Sequence, residues 1–254
     1  ILLSVEGQEV LPLGVSGTRD LVRGEEGTFV SMHFSRGGAE YDVDVERRSI
    51  ETEVAACELL DNGIGYIKIE NFDERCADET IACIEEMIGA GAEKLLFDVR
   101  FNPGGYADEL VEVLDYLLPE GDLFRSVDYA GNEEVDRSDA SCVELPMAVL
   151  VNEESYSAAE FFAAALREYD WATIVGSKTY GKGNFQNAFF LSDGSMVNLS
   201  VGKYYTPQGK SLTGVGITPD VELDLDDEQY ALLYYGQLEA ADDPQLQAAI
   251  DVLS

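Results

Sequence analysis

The apolar positions of the first part of the chain alternate as β-strands require, with one short helical pattern between them. Residues 1–5 are apolar, and residues 16–22 repeat apolar side chains at helical spacing. Residues 28–34 and 40–45 alternate between apolar and polar on either side of a turn that contains two glycines. These patterns predict a β-rich module over residues 1–48.

From residue 49 onward, strand patterns alternate with amphipathic helical patterns. The strands are predicted at 54–60, 64–69, 94–99, 123–129, 145–151, 172–175, 185–191 and 195–201. The helices are predicted at 79–88, 107–118, 158–167 and along an acidic tail, 226–253. Alternating β and α elements indicate an α/β domain over residues 49–254.

The strand predicted at 145–151 leads through a turn that holds two serines, Ser155 and Ser157, into a predicted helix. Ser157 stands at the start of that helix, where backbone N–H groups and the helix dipole favour a developing negative charge. This position suits a nucleophile. Taken alone, Ser157 and Glu160 also fit a capping box, which is a purely structural role.

Lysine is the base in this sequence that can activate a serine. The single histidine, His33, lies far upstream on a predicted strand, so a Ser-His-Asp triad is disfavoured. A free lysine has a pKa of about 10.4, and burial lowers that pKa toward the range a base needs. Lys182 is flanked by Gly181 and Gly183, which allow a tight bend, and the amide of Gln186 can accept a hydrogen bond from it. In isolation, Lys182 would also suit an exposed loop.

A second turn follows the predicted strand 94–99 and contains Pro103, Gly104 and Gly105. A tetrahedral intermediate of acyl transfer needs hydrogen-bond donors for its oxyanion. The backbone N–H groups of Gly104 or Gly105, together with that of Ala158, are the candidates. The alternative for this turn is an ordinary connection between a strand and a helix.

Five ordered segments of the chain resemble the C-terminal processing peptidases, also called tail-specific proteases. The serine segment matches at Val151, Asn152, Ser155, Ser157, Ala158 and Glu160, and the lysine segment at Thr179, Gly181, Lys182, Gly183 and Gln186. The other three segments are 98–105, 204–210 and 216–220. The departures are Glu153 and Glu154, where glycine is frequent, and Ala159, where serine is frequent.

The resemblance covers residues 64–252 and implies a crotonase-like or ClpP-like protease core. It implies a serine endopeptidase that cleaves protein or peptide substrates near accessible C-terminal tails through an acyl-enzyme, with no metal or organic cofactor. Ser157 would be the nucleophile, Lys182 the base and Gln186 its support. An extracytoplasmic location is expected, with any membrane tether outside this chain. A homo-oligomer is possible in such a family.

Residues 1–48 resemble the back half of the PDZ domain found in this family. The front half, with its carboxylate-binding loop and peptide-pairing strand, is expected to be missing from this chain. Because β-augmentation draws its affinity from that strand, the chain is expected to bind a free-carboxylate peptide no better than the matching amide.

Composition limits the classes of binding partner, but it does not identify the reaction. The chain of 254 residues has 50 acidic against 16 basic residues, for a formal charge of -34. This charge disfavours binding to nucleic acid and to anionic membranes. No apolar run is long enough for a transmembrane helix. Four cysteines without CxxC spacing, beside one histidine, predict buried free thiols rather than a zinc site.

Two other functions remain open at this stage. A catalytically silent scaffold would bind peptides without cleaving them, and it would have no need for Ser157, Lys182 and Gln186. A crotonase-type acyl-CoA enzyme would share the fold and the oxyanion donors, but it would not need a serine and lysine pair. Labelling of the serine by a fluorophosphonate and binding to an immobilised CoA ester distinguish the three.

Overall fold

The computed structural model describes residues 1–50 and 52–254, and the chain divides into two compact units, Ile1–Thr52 and Glu53–Ser254. The elements of the first unit are β1 (Leu2–Val5), β2 (Gln8–Glu9), α1 (Val10–Val22), β3 (Phe29–Arg36) and β4 (Ala39–Glu46). Its strands form one antiparallel sheet in the order β2-β1-β3-β4. The helix begins earlier than the sequence pattern predicts and is interrupted at Gly14, where φ is 65°.

His33 lies on β3, facing two acids of the neighbouring strand. Its Nδ1 is 2.8 Å from an Asp42 carboxylate oxygen, and its Nε2 is 3.2 Å from one of Glu40. The hydrogen bond to Asp42 raises the pKa of the imidazole. These contacts explain His33 as a cross-strand partner, which is the structural role that the sequence predicts.

The second unit contains two sheets and five α-helices among its described residues. The elements of its first half are β5 (Ala55–Leu59), β6 (Ile64–Ile69), α2 (Cys76–Gly89), β7 (Lys94–Asp98), α3 (Ala107–Leu117), β8 (Gly121–Asp128) and β9 (Glu133–Ser138). Those of its second half are β10 (Met147–Val151), α4 (Ala158–Glu168), β11 (Ala172–Gly176), β12 (Asn184–Phe190), β13 (Met196–Tyr205), β14 (Val221–Glu222), α5 (Asp227–Tyr234) and α6 (Pro244–Val252). The predicted α/β fold is confirmed.

The larger sheet has six strands in the order β14-β11-β10-β7-β6-β5, and all its pairs are parallel except β5 with β6. The smaller sheet is antiparallel in the order β12-β13-β8-β9. Because β7 and β10 are parallel neighbours, their C-terminal ends meet at one edge. The two turns singled out in the sequence follow these two ends, so the topology places them side by side.

The larger sheet is covered on both faces, which explains why its central strands read as continuous apolar runs. On one face, Phe97 and Val149 pack with the helix residues Phe161 and Phe162. The opposite face packs against α6 through a smaller cluster. Alternate residues of β10 pack into the two clusters, and all five residues of this strand are buried.

Two features differ from the sequence patterns. Strand β9 is mostly exposed and strongly polar, so it has no apolar face from which it could be predicted. The tail is not one helix. Helix α5 ends before Gly236, which has a φ of 63°, and α6 begins after Asp243, whose carboxylate accepts hydrogen bonds from the N–H groups of Gln245 and Leu246 at 3.0 Å.

A buried ion network joins the end of β7 to the start of α6. The guanidinium of Arg100 forms hydrogen bonds with Asp98, and it reaches Asp243 at 2.8 Å and Gln245 at 3.2 Å. Burial alone would raise the pKa of Asp98, but the charge and hydrogen bonds of Arg100 outweigh it and hold that pKa below its usual range. The ionised pair therefore stabilises the fold at neutral pH, and this contribution is lost as the pH falls through the lowered pKa.

Arg100→Met is expected to destabilise the second unit by about 3–5 kcal/mol, because two buried carboxylates lose their counter-ion. Arg137→Met is the control, since Arg137 pairs with Asp122 at 2.8 Å while remaining 62% exposed, and such pairs contribute about 0–1 kcal/mol. Denaturant unfolding of both variants measures the difference. Equal losses in the two variants would contradict an anchoring role for the network.

The four cysteines carry free thiols. Cys76 and Cys83 are buried, and burial raises the pKa of each thiol to about 12. Among residues 1–50 and 52–254, no group of three or more His, Cys, Asp or Glu side chains is arranged to hold a metal ion. Over the same residues, no helix has the length and apolarity needed to cross a bilayer.

Candidate active site

Ser157 is the N-cap of α4 and adopts a strained backbone conformation, with φ 59° and ψ -126°. Positive φ is uncommon outside glycine and costs energy that the surrounding structure must supply. The strand-turn-helix from β10 to α4 therefore presents this serine on a sharp bend. Serine nucleophiles of α/β-hydrolases are presented on such bends.

Ser155 has a structural position instead. It is fully buried, its hydroxyl donates to the carbonyl of Val99 at 2.7 Å, and the same oxygen accepts a hydrogen bond from the N–H of Asn152 at 3.0 Å. These bonds join the ends of β7 and β10. Of the two serines in the turn, only Ser157 is accessible, being partly buried rather than enclosed.

One buried carboxylate joins the serine turn to the lysine loop. Glu160 is fully buried and accepts four hydrogen bonds. They come from the N–H of Ser157 at 3.0 Å, the hydroxyl of Thr179 at 2.6 Å, and the N–H groups of Gly181 at 2.7 Å and Lys182 at 2.8 Å. Glu160 thus fixes the backbone of both proposed catalytic residues.

The sequence interpretation recognised Glu160 as a capping residue and as part of the serine segment, and the capping box with Ser157 is present. A second signal was available in the composition of α4. Glu160 is the one charged residue in the otherwise apolar and buried run from Ala158 to Leu166. A buried charge without partners is too costly to be retained, so its presence indicates several donors from elsewhere.

The proposed catalytic side chains are not hydrogen-bonded to one another. The Nζ of Lys182 lies over the ring of Tyr156, 5.2 Å from its centroid. Within the described part of the chain, no hydrogen bond links Lys182 Nζ to Ser157 Oγ, and the exposed side chain of Gln186 on β12 forms none with either. The fold brings the backbones of Ser157 and Lys182 to one carboxylate, and a contact between their side chains stays a prediction.

The loop around Lys182 needs its glycines. Gly181 has a φ of 93°, and a Cβ there would lie 2.9 Å from the N of Gly216. A Cβ on Gly183 would lie 2.7 Å from the hydroxyl oxygen of Thr213. The predicted tight bend is therefore present, and it depends on close packing against residues 213–216.

The three proposed oxyanion donors differ in whether their N–H groups already have a hydrogen-bond partner. The N–H of Gly104 is already used, because it donates to the side-chain oxygen of Asn102 at 2.8 Å. The N–H groups of Gly105 and Ala158 have no protein partner among the described residues. For Ala158 the reason is general, since the first N–H groups of a helix have no intrahelical acceptor. Gly105 and Ala158 are the pair that remains.

Gly104 contributes through its shape. Its φ is 82°, and an added Cβ would lie 2.7 Å from the Cβ of Ser157 and 2.8 Å from the N of Ala158. The α-carbon of Gly104 therefore borders both the proposed nucleophile and one proposed donor. Any side chain at this position would push the two turns apart.

Gly104→Ala is expected to reduce peptide cleavage about a hundredfold or more, because the donor and the serine are displaced together. Gly89→Ala is the matched control, since that glycine ends α2 without positive φ and with open space around it. Cleavage rates at equal folded fraction give the comparison. Full activity of Gly104→Ala would show that this turn does not border the reacting group.

Comparison with known proteins places this geometry in a family. The family model described as peptidase family S41 matches residues 63–223, which include both turns and the lysine loop. The chain belongs to peptidase family S41. The matched segment begins after the first unit, so the match assigns the second unit alone.

The S41 relatives include named processing proteases. The chain is 35% identical over 237 residues to the carboxy-terminal processing protease CtpA of Bacillus subtilis, covering 92% of this chain and 50% of that protein. It is 30% identical over 260 residues to the carboxyl-terminal-processing protease of Synechocystis, covering 100% and 60%. The chain therefore spans about half to three-fifths of the length of these relatives.

Solved structures show the same S41 fold. A photosystem II D1 C-terminal processing protease superposes with a TM-score of 0.66 at 26% identity, covering 96% of this chain and 68% of that one. A putative S41 protease from Bacteroides fragilis superposes with a TM-score of 0.68 at 17% identity, covering 99% and 72%, and supports the fold alone.

Proposed function

We propose that this chain carries the catalytic core of a serine endopeptidase that processes protein substrates near their C-termini. The observation that carries the proposal is the Glu160 carboxylate, which holds the backbone N–H groups of Ser157 and Lys182 at 3.0 and 2.8 Å. A fold that needed only a helix cap would not tie the serine turn and the lysine loop to one buried group.

The reaction follows from this placement. The hydroxyl oxygen of Ser157 attacks the scissile carbonyl carbon while the amine of Lys182 takes its proton. The oxyanion accepts hydrogen bonds from the N–H groups of Gly105 and Ala158. Lys182 then passes the proton to the leaving amine, the C–N bond breaks, and an acyl-enzyme forms on Ser157. Water, activated by Lys182, releases the acyl group.

Gln186 has a supporting part in this scheme. An amide can accept a hydrogen bond from the lysine and aim it at Ser157 without adding a charge that would keep the lysine protonated. Gln186 lies on β12, close in sequence to the loop that carries Lys182, and its side chain is exposed. It therefore has to turn toward Lys182 for this role.

The remaining parts of the proposal rest on likeness to named relatives. Protein substrates with accessible C-terminal tails agree with the names of the processing proteases that the chain resembles. The first unit would be the PDZ-like module, and an extracytoplasmic location would suit the family. Cell fractionation with an antibody to this chain tests the location.

A fluorophosphonate tests the chemistry directly, because it reacts with an activated serine and not with an inert one. The expected result is one covalent adduct, found by mass spectrometry on the peptide that contains Ser157, together with cleavage of a tailed protein substrate. A chain that binds peptides but forms no adduct would be a silent scaffold.

A further inference from the structure

A groove lined by aromatic side chains opens beside Ser157. Phe101, Glu154, Tyr156, Tyr230 and Tyr234 enclose a volume of about 360 Å³. Tyr156 immediately precedes the proposed nucleophile, and Phe101 belongs to the turn that leads to Gly104 and Gly105. The groove therefore adjoins two segments of the proposed active site.

Helix α5 forms one wall of the groove. Tyr230 and Tyr234 are four residues apart, so they lie on the same face of α5. The ring of Phe101 meets both of them edge-on, at centroid distances of 5.2 and 5.5 Å. Helix α5 lies beyond residues 63–223, the segment matched by the family model.

The rings of the groove are suited to a cation. Aromatic faces attract ammonium and guanidinium groups through their quadrupole. The Nζ of Lys182 lies 5.2 Å from the centroid of the Tyr156 ring. Tyr156 in turn packs against Tyr180, with ring centroids 5.5 Å apart.

The groove is lined by one acidic side chain. Glu154 is the only ionisable carboxylate among the lining residues, and it is exposed at the rim. Burial, followed by the negative charges of Glu153 and Glu154, raises the pKa of Tyr230. The formal charge of -34 adds a long-range attraction for basic ligands.

We propose that this groove is a subsite for a lysine or arginine side chain of the substrate, next to the scissile bond. The subsite rests on the proposed peptidase function and adds a preference to it. The aliphatic stem of the side chain would contact the rings, and its charged end would reach Glu154. An acidic side chain would be repelled, and a neutral one would lose both attractions.

The test uses a set of peptides that differ at one residue near the cleaved bond, carrying lysine, norleucine or glutamate. Norleucine keeps the stem of lysine and removes its charge. At one position, kcat/KM is expected to be about five- to thirtyfold higher for lysine than for norleucine, and lowest for glutamate. The preference is expected to shrink at about 1 M salt, where exposed charges are screened.

Variants assign the preference to the groove. Glu154→Gln keeps the shape of the rim and is expected to lower the ratio for lysine over norleucine severalfold. Glu112→Gln is the control, because it removes an equal charge from the exposed surface of α3. The double variant Tyr230→Leu with Tyr234→Leu is expected to lower the same ratio, whereas Tyr230→Phe with Tyr234→Phe keeps the ring faces and retains it.

Binding measurements test the subsite independently of catalysis. Calorimetry on Ser157→Ala with the same peptides measures the groove without turnover. Cleavage with equal preference for lysine and norleucine, or a preference for norleucine, would overturn the subsite and leave the peptidase function intact. Tighter binding of the lysine peptide by Ser157→Ala would support the subsite. If the unsubstituted chain also cleaved none of the peptides, the peptidase function would be refuted. Equal binding of all three peptides would overturn the subsite in either case.

Discussion

Ser157→Ala is expected to lower peptide cleavage by at least about a thousandfold, the order of magnitude lost when a catalytic nucleophile is removed. In the proposed reaction the Ser157 hydroxyl forms the acyl-enzyme, and Ser155, the other serine of the turn, is buried. The expected loss is in kcat, since peptide contacts away from the serine are unchanged. Single-turnover cleavage at saturating peptide measures it.

Ser155→Ala is the matched control for this loss. Its hydroxyl bridges Val99 and Asn152 inside the protein, so the alanine variant should lose about 1–3 kcal/mol of folding free energy. Its folded fraction should keep most of the cleavage rate and react with a fluorophosphonate. If Ser155→Ala is inactive while folded and Ser157→Ala cleaves normally, the assignment of the nucleophile is wrong.

Lys182→Arg is expected to be nearly inactive, also by about a thousandfold or more. A guanidinium remains protonated at any pH at which the protein is folded, so it cannot accept the serine proton. The backbone N–H of residue 182 still donates to Glu160 in this variant, so the loop should keep its position. Lys182→Met should lose the same activity, because it removes the base without adding a charge.

Lys178→Arg provides the comparison for that substitution. Lys178 is exposed, lies close to the same loop in sequence, and takes no part in the proposed chemistry. Thermal unfolding should give similar melting temperatures for both arginine variants. A Lys182→Arg enzyme that still cleaves peptides at a normal rate would rule out lysine as the base, whatever Ser157 contributes.

Patterns within the chain were sufficient to predict most of the second unit. Apolar runs separated by helical patterns predicted where β6, β7, β10 and β11 lie along the chain. These strands are apolar because both faces of a parallel sheet are covered. Strand β9 escaped prediction since it is polar and mostly exposed. The break in the tail had two local signals, Gly236 and Pro244, and the proline suits the first position of a helix, where α6 begins.

The candidate site was likewise predictable only in part. Motif spacing selected Ser157 and Lys182, and the parallel pairing of β7 with β10 explains why the turn at Ser157 meets the turn at Gly104. The sequence could not show that Asn102 uses the N–H of Gly104, because which donors remain free depends on side-chain orientation in the folded turn. It also could not show that Gln186 is exposed and forms no hydrogen bond with the lysine.

The sequence by itself determined the local features of the chain. These are the strands and helices, the glycine-dependent bends and the residue types that acyl transfer needs. Only the tertiary structure decided which distant groups meet. Glu160 joins two loops, Arg100 reaches Asp243 on a distant segment, and the tyrosines of α5 meet Phe101. The physical reason is that spacing constrains neighbours along the chain, whereas hydrogen bonds and ring contacts between remote segments exist only after the sheet has brought their ends together.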